Sequence, residues 1–353
     1  MSKLRNDLLS IVLTTLLCAC STPIGTSNSE QATQEKAATE TVPALIPVRA
    51  CYSSKSSTQA AIWYALDRGL FEKYGLKIDL VSLGGGAKAA AALIAKDVDI
   101  CTMAASSVVS AVVAGEDLVM TAGFYDKYPY FLIVSTDISK PQDLKHKKVA
   151  FGPIGSSQES ATRVGVRALG LEPDKDVELV AFTEESERVA AFEAGQVSGV
   201  IVFPPMNFRL TERGYKVLLD MSTLDLVYQG AGVVTRRSFI QQNRDVVLRF
   251  NKAIIEAIEL MKRDPQSTKE VIAKFLGFDL TKDQKVLDET YSLLISKNLL
   301  EKPYPSSVGI QNVIDESALQ NPQAVNYKAG DMVDISIMDE LEASGFLNSL
   351  YNK

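Results

Sequence analysis

The sequence predicts an α/β fold in two lobes, each built on a mostly parallel sheet with helices on both faces. Three observations carry this. Strand and helix patterns alternate from residue 48 to residue 123. The alternation restarts near residue 141 and runs to residue 233. A chain of 353 residues, 46% hydrophobic and 23% charged, also has room for two cores.

The chain opens on a targeting pattern. Lys3 and Arg5 form a short basic region, and residues 8–17 form an apolar run too short to span a membrane. Leu17-Cys18-Ala19-Cys20 resembles a bacterial lipobox, which implies cleavage after residue 19 and a diacylglycerol anchor on Cys20. A plain signal peptide cleaved nearby is the alternative. Residues 20–45 are rich in Ser, Thr, Gln, Ala and Glu and have little to bury, so they read as a flexible tether. The globular part is expected to face outward or the periplasm.

The first αβ unit follows. Residues 48–52 read as a strand, 59–74 as a helix with Ile62, Ala65, Leu66, Leu70 and Phe71 on one face, and 76–83 as a strand. Gly84-Gly85-Gly86 turns the chain into an Ala-rich helix. Strand 99–103, a helix from Ala104 to Gly115 and strand 118–123 complete the unit. Small-molecule sites in such folds lie beyond the carboxyl ends of the strands. The loops at issue are therefore 53–58, 84–88, 104–107 and 124–130.

Strand 131–135 leads to the second unit. Residues 149–151 form a strand, Gly152 and Gly155 allow a tight turn, and Ser156 or Ser157 caps the next helix with Glu159 in its first turn. Such a turn aims backbone N–H groups and a positive helix end at one point. Strands at 177–182, 199–203 and 216–219 alternate with helices at 185–194 and 205–212. After a strand at 231–235 the chain turns helical, at 243–262, 270–276, 283–296, 310–317 and 336–351.

The net charge of −6 leaves no basic footprint for nucleic acid. The chain's one His, His146, sits in a lysine run, so neither a zinc site nor a His-based triad has its residues. No catalytic group, metal or cofactor is expected. Beyond the leader, Cys51 and Cys101 remain. Adjacent parallel strands rarely give disulfide geometry, so two buried thiols are expected, with a disulfide as the alternative.

Taken together, these stretches resemble the SsuA/THI5-like (NMT1-like) substrate-binding proteins of ABC importers. The resemblance rests on residues 60–80, on Gly84-Gly85-Gly86 with Asp97 and Asp99, and on 143–157, 170–177 and 191–199. It implies a two-lobed type II periplasmic-binding-protein fold: lobe I at 46–136 and 234–353, lobe II at 137–233, and hinge crossovers near 131–137 and 231–236. It also implies a small-molecule ligand held between the lobes, a membrane permease and an ATPase as partners, and a monomer. By position, lobe I would offer Ser54, Lys55, Ser57, Thr58, Gly85, Gly86, Ala105, Ser106 and Tyr125. Lobe II would offer Gly155, Ser156, Ser157, Thr183, Glu184, Phe203 and Tyr228.

The ligand reading leans to a flat heterocycle, a vitamin or vitamin precursor such as a thiamine-type pyrimidine or riboflavin. Aromatic residues at 124–130, with Trp63, Phe203 and Tyr228, could sandwich a ring, or could be core. The alternative is an aliphatic sulfonate, taurine or nitrate-type anion, disfavoured here because the lobe I loops lack Arg. Two other classes are a lipid-anchored signalling protein on the same scaffold and a pyrimidine-synthesising enzyme. The enzyme would need an active-site His and a Cys-rich motif that this chain lacks. The anchor is directly testable: Cys20→Ala is expected to release the protein from the membrane fraction, and a variant that still sediments with membranes contradicts it.

Overall fold

A computed structural model describes residues 44–351. The leader, Cys20 and the tether lie outside the described residues. Two five-stranded sheets organise the rest, with helices packed around them.

The first sheet has the order β2-β1-β3-β10-β4. Its strands are β1 (Ile46–Tyr52), β2 (Leu76–Ser82), β3 (Ile100–Ala104), β4 (Leu118–Gly123) and β10 (Ala231–Arg236). Between them lie α1 (Ala60–Asp67), α2 (Leu70–Lys73), α3 (Gly86–Ile94) and α4 (Ala105–Val113). The second sheet has the order β7-β6-β8-β5-β9. It is built from β5 (Phe131–Val134), β6 (Lys148–Phe151), β7 (Glu178–Ala181), β8 (Gly199–Val202) and β9 (Lys216–Asp220). Its helices are α5 (Ser157–Ala168), α6 (Glu185–Glu193) and α7 (Met206–Glu212).

Each sheet holds one reversed strand. β1 runs parallel to β2 and β3, whereas β10 is antiparallel to β3 and β4. Likewise β6 is parallel to β7 and β8, and β5 is antiparallel to β8 and β9. The expectation of mostly parallel sheets is met in strand direction, while the sheets are mixed in pairing. Each reversed strand is the first one reached after the chain crosses from the other sheet. The crossings are therefore 124–130 and 221–230. This differs from the expected division: Phe131–Val134 belongs wholly to the second sheet and Ala231–Arg236 wholly to the first. The difference arises because antiparallel partners far apart in sequence, not local pattern, decide which sheet takes each strand.

The C-terminal helices pack mainly on the first sheet and its helices. They are α8 (Arg237–Arg263), α9 (Pro265–Leu276), α10 (Gln284–Thr290), α11 (Ser307–Ala318), α12 (Ser336–Ala343) and α13 (Phe346–Tyr351). Of these, α10 also packs against α7. Val246, Val247, Phe250, Ile254, Ile258 and Met261 of α8 are all buried, as their helical spacing requires. Backbone breaks refine the expected boundaries. Gly69 (φ 67°) splits the first helix and Gly345 (φ 77°) the last, and α8 is interrupted at Asn243, where a regular helix was expected to begin. Past α10 the helix continues as a π-helical stretch, Tyr291–Asn298. The outer edge of β4 is not open: Asp334 N–H donates to the Met120 carbonyl at 2.9 Å.

Cys51 and Cys101 are bonded to each other, contrary to the expectation of two thiols. They are register partners on β1 and β3, and their Cα atoms lie 4.5 Å apart, within disulfide range. The bond closes a 50-residue loop, for which chain entropy gives about 4 kcal/mol. It ties together the two strands whose ends feed the loop after β1 and the start of α4. A Cys51→Ala/Cys101→Ala double variant is expected to lose about 2–4 kcal/mol in urea unfolding; unchanged stability would show that the bond contributes nothing.

Candidate functional site

Loops from both sheets and both crossings meet in a cleft. At its inner end is a small cavity of about 30 Å³. Ser54, Thr58, Gly85 and Gly86 line it from the first sheet, and Ser156, Ser157 and Phe203 from the second. Tyr130 and Tyr228 close it from the crossing segments.

Three helices start at or beside this cavity. Gly85 precedes α3 with φ 146°, a conformation that favours glycine. A Cβ on Gly86 would sit 1.9 Å from Ser107 Oγ, so the α3 and α4 starts approach closely only through bare backbone. On the facing side Ser156 caps α5, accepting from Glu159 N–H at 3.4 Å. Positive helix ends thus point at the cavity from both lobes.

Around these ends lie hydroxyls with unused capacity. Ser107 Oγ is buried without a hydrogen-bond partner, and Ser106 Oγ and Tyr228 OH are buried neighbours that do not meet in good hydrogen-bond geometry. Tyr228 stacks on Tyr128 with centroids 4.0 Å apart. Burial, then the neighbouring Tyr130 and Tyr128, raises its pKa, so it stays a neutral donor. Tyr130 donates to Ser157 Oγ at 2.7 Å, and burial pushes its pKa up to about 12.

The cleft widens into an outer chamber of about 930 Å³. Lys55 and Lys88 line it from the first lobe; Thr183, Glu184, Glu185 and Arg188 line it from the second. Arg188 is 1% exposed, on the first turns of α6, and its Nε and Nη2 have no hydrogen-bond partner. Its neighbour Glu185 lies 3.6 Å away, too far for a hydrogen bond. Burial lowers the Arg188 pKa, while Glu185 and Tyr130 oppose that shift. Arginine keeps its charge under such conditions.

The residues expected from sequence divide accordingly. Ser54, Thr58, Gly85, Gly86, Ser156, Ser157, Phe203 and Tyr228 lie along the inner cavity, and Lys55, Thr183 and Glu184 along the outer chamber. The structure does not bring the others to either wall. Ser57 Oγ donates to the Pro204 carbonyl at 2.5 Å, bridging the lobes. Gly155 N–H donates to Glu159 Oε2 at 2.8 Å and is therefore occupied. Tyr125 is 1% exposed in the first-lobe core, Ala105 is fully buried, and Ser106 contributes its unpartnered hydroxyl behind the wall. Trp63 stacks on Phe275 at 5.1 Å within the core, and Phe124 is also core. Sequence reasoning missed Gln59, Gln158 and Arg188 on the walls, while Tyr130 belongs to the aromatic loop it singled out. It sought cations in the loops, whereas Arg188 sits inside a helix among Glu and Ser.

A family model described as NMT1/THI5-like matches residues 56–268, well over half of the chain. The chain belongs to the NMT1/THI5-like family. A putative ABC transporter periplasmic binding protein of Brachyspira hyodysenteriae is 24% identical over 278 residues, covering 74% of this chain and 75% of the relative. A putative aliphatic sulfonates-binding protein of Bacillus subtilis is 24% identical over 279 residues, covering 74% and 83% respectively. The solved alkanesulfonate-binding protein SsuA of Xanthomonas axonopodis, bound to MOPS, has the same fold: TM-score 0.67, 20% identity, 82% of this chain and 96% of that one covered. This member of the family is accordingly an ABC-type substrate-binding protein, and its relatives are binding proteins rather than enzymes.

The Tyr228 segment is held from behind. Ser306 N–H donates to Gln229 Oε1 at 2.6 Å, and Asn312 Nδ2 donates to the Val227 carbonyl at 2.8 Å. A Cβ on Gly309 of α11 would lie 2.5 Å from the Tyr228 carbonyl carbon. Gly309→Ala is expected to displace this segment, costing about 1–3 kcal/mol of stability in thermal unfolding and weakening ligand binding; wild-type values for both would contradict this packing.

Proposed function

We propose that this chain captures a small organic oxoanion of the sulfonate class outside the cytoplasm and delivers it to a membrane permease driven by an ATPase. It acts as a monomer, tethered through lipid on Cys20. The observation that carries the anion reading is Arg188, a buried guanidinium with unpartnered donors on the cleft wall. Glu185 at 3.6 Å offsets its charge without a hydrogen bond, and a ligand anion would supply the missing acceptor. The convergent helix starts and the hydroxyl of Tyr228 suit the remaining oxygens.

The heterocycle reading keeps Tyr130, Phe203 and Tyr228 on the inner cavity wall and loses the rest of its aromatic support. It relied on aromatic faces turned to the cleft, yet Trp63, Phe124 and Tyr125 are core residues and Tyr128 is stacked on Tyr228. The sulfonate name of the Bacillus relative and the alkanesulfonate-binding SsuA structure point to the anion alternative.

Calorimetric titration of residues 46–353 with ethanesulfonate, nitrate, riboflavin and a thiamine-type pyrimidine tests this. Ethanesulfonate is expected to bind, with nitrate as the inorganic comparison, and Arg188→Gln to weaken ethanesulfonate binding by roughly a hundredfold, in line with truncation of one partner of a buried charge pair. Binding of riboflavin or the pyrimidine alone, unchanged in Arg188→Gln, would contradict the proposal.

A further inference from the structure

Arg188 has a resident counter-ion that is poorly placed. Glu185 precedes it by three residues on the same helix, and both line the outer chamber. Glu185 Oε1 is buried without a hydrogen-bond partner, and so are Arg188 Nε and Nη2. The two side chains thus face each other at 3.6 Å across an ion pair that satisfies neither. A ligand anion that takes the guanidinium would sit beside a half-buried carboxylate. Two like charges at such a site cannot both stay ionised without cost.

We propose that Glu185 takes up a proton when an anion binds Arg188, so that the cleft captures an anion and a proton together. This rests on the anion reading above. The surroundings leave Glu185 as the group that titrates. On its own helix start, Glu184 is exposed and Glu187 is exposed. Against α6, β8 carries no titratable residue, and Lys148 of β6 is exposed and paired with Glu178 at 3.4 Å. Tyr130, beside Arg188, is neutral because burial pushes its pKa up to about 12. Across the chamber, Arg209 is paired with Asp283 and Lys274 with Asp67, while Lys55 and Lys88 are exposed. In the ligand-free protein, burial already raises the Glu185 carboxyl above its ordinary value, against the pull of Arg188.

The sign follows. The bound state holds its proton more tightly than the free state, so affinity rises as pH falls. Between the free and bound pKa values of Glu185, Kd should drop by up to tenfold per pH unit. Below both values the dependence disappears.

The test is calorimetric titration with ethanesulfonate, the anion of a strong acid with no proton of its own to give. It is run from pH 5 to pH 8.5 in two buffers of different ionisation enthalpy, which counts protons. Wild type is expected to take up a fraction of a proton approaching one, with Kd falling as pH falls. Glu185→Gln is expected to bind with no proton uptake and a flat pH profile, and to bind more tightly than wild type at pH 8.5. Ethanesulfonate binding to wild type that is lost in Arg188→Gln but shows no proton uptake overturns the coupling while the anion reading stands. Uptake that persists in Glu185→Gln also overturns it. If ethanesulfonate fails to bind wild type at every pH, both readings fall. Absence of proton uptake in wild type that binds ethanesulfonate overturns the coupling even if a variant does not fold.

Discussion

The structure depends on two strand insertions that cross between the sheets. β10 arrives from the second sheet and inserts antiparallel between β3 and β4, with all six residues buried. β5 does the reverse, inserting between β8 and β9 with all four residues buried. Each sheet is therefore completed by a strand that the chain reaches from the other one. The same geometry makes the cleft: Tyr130 ends one crossing and Tyr228 lies in the other, and both close the inner cavity. Core and site share these segments, and the backing of Tyr228 by Gly309 and Gln229 shows how little slack they have.

Around that frame the cleft is rich in donors left without acceptors. Hydroxyls at Ser106, Ser107 and Tyr228 and two guanidinium nitrogens of Arg188 are buried and unpartnered. Leaving such a group unmatched costs about 1–3 kcal/mol, and a charge costs more. These groups are concentrated beside helix starts and next to a chamber, and the proposed anion would supply their acceptors. The disulfide between Cys51 and Cys101 holds two of the contributing loops from beneath.

Much of this was legible in the sequence. Strand and helix alternation, and the spacing of residues such as Val247, Phe250 and Ile254, report local periodicity, which the fold obeys. The small residues Gly85, Gly86, Ser156 and Ser157 mark helix starts, and those lie on the cavity wall. What was not legible depends on distant pairing. Nothing local says that Phe131–Val134 joins the second sheet, or that Cys51 and Cys101 fall in register. Aromatic residues announced a stacking surface, but their composition cannot say which way they face, and Trp63, Phe124 and Tyr125 turned inward. Arg188 was hidden for the same reason: in sequence it is one charge on an amphipathic helix, and only the fold shows it buried on the chamber wall.

The most direct measurement is native mass spectrometry of freshly purified protein, followed by identification of whatever small molecule travels with it. The account predicts one bound molecule bearing a sulfonate or a similar strong-acid group. A neutral heterocycle released at one per chain would contradict it.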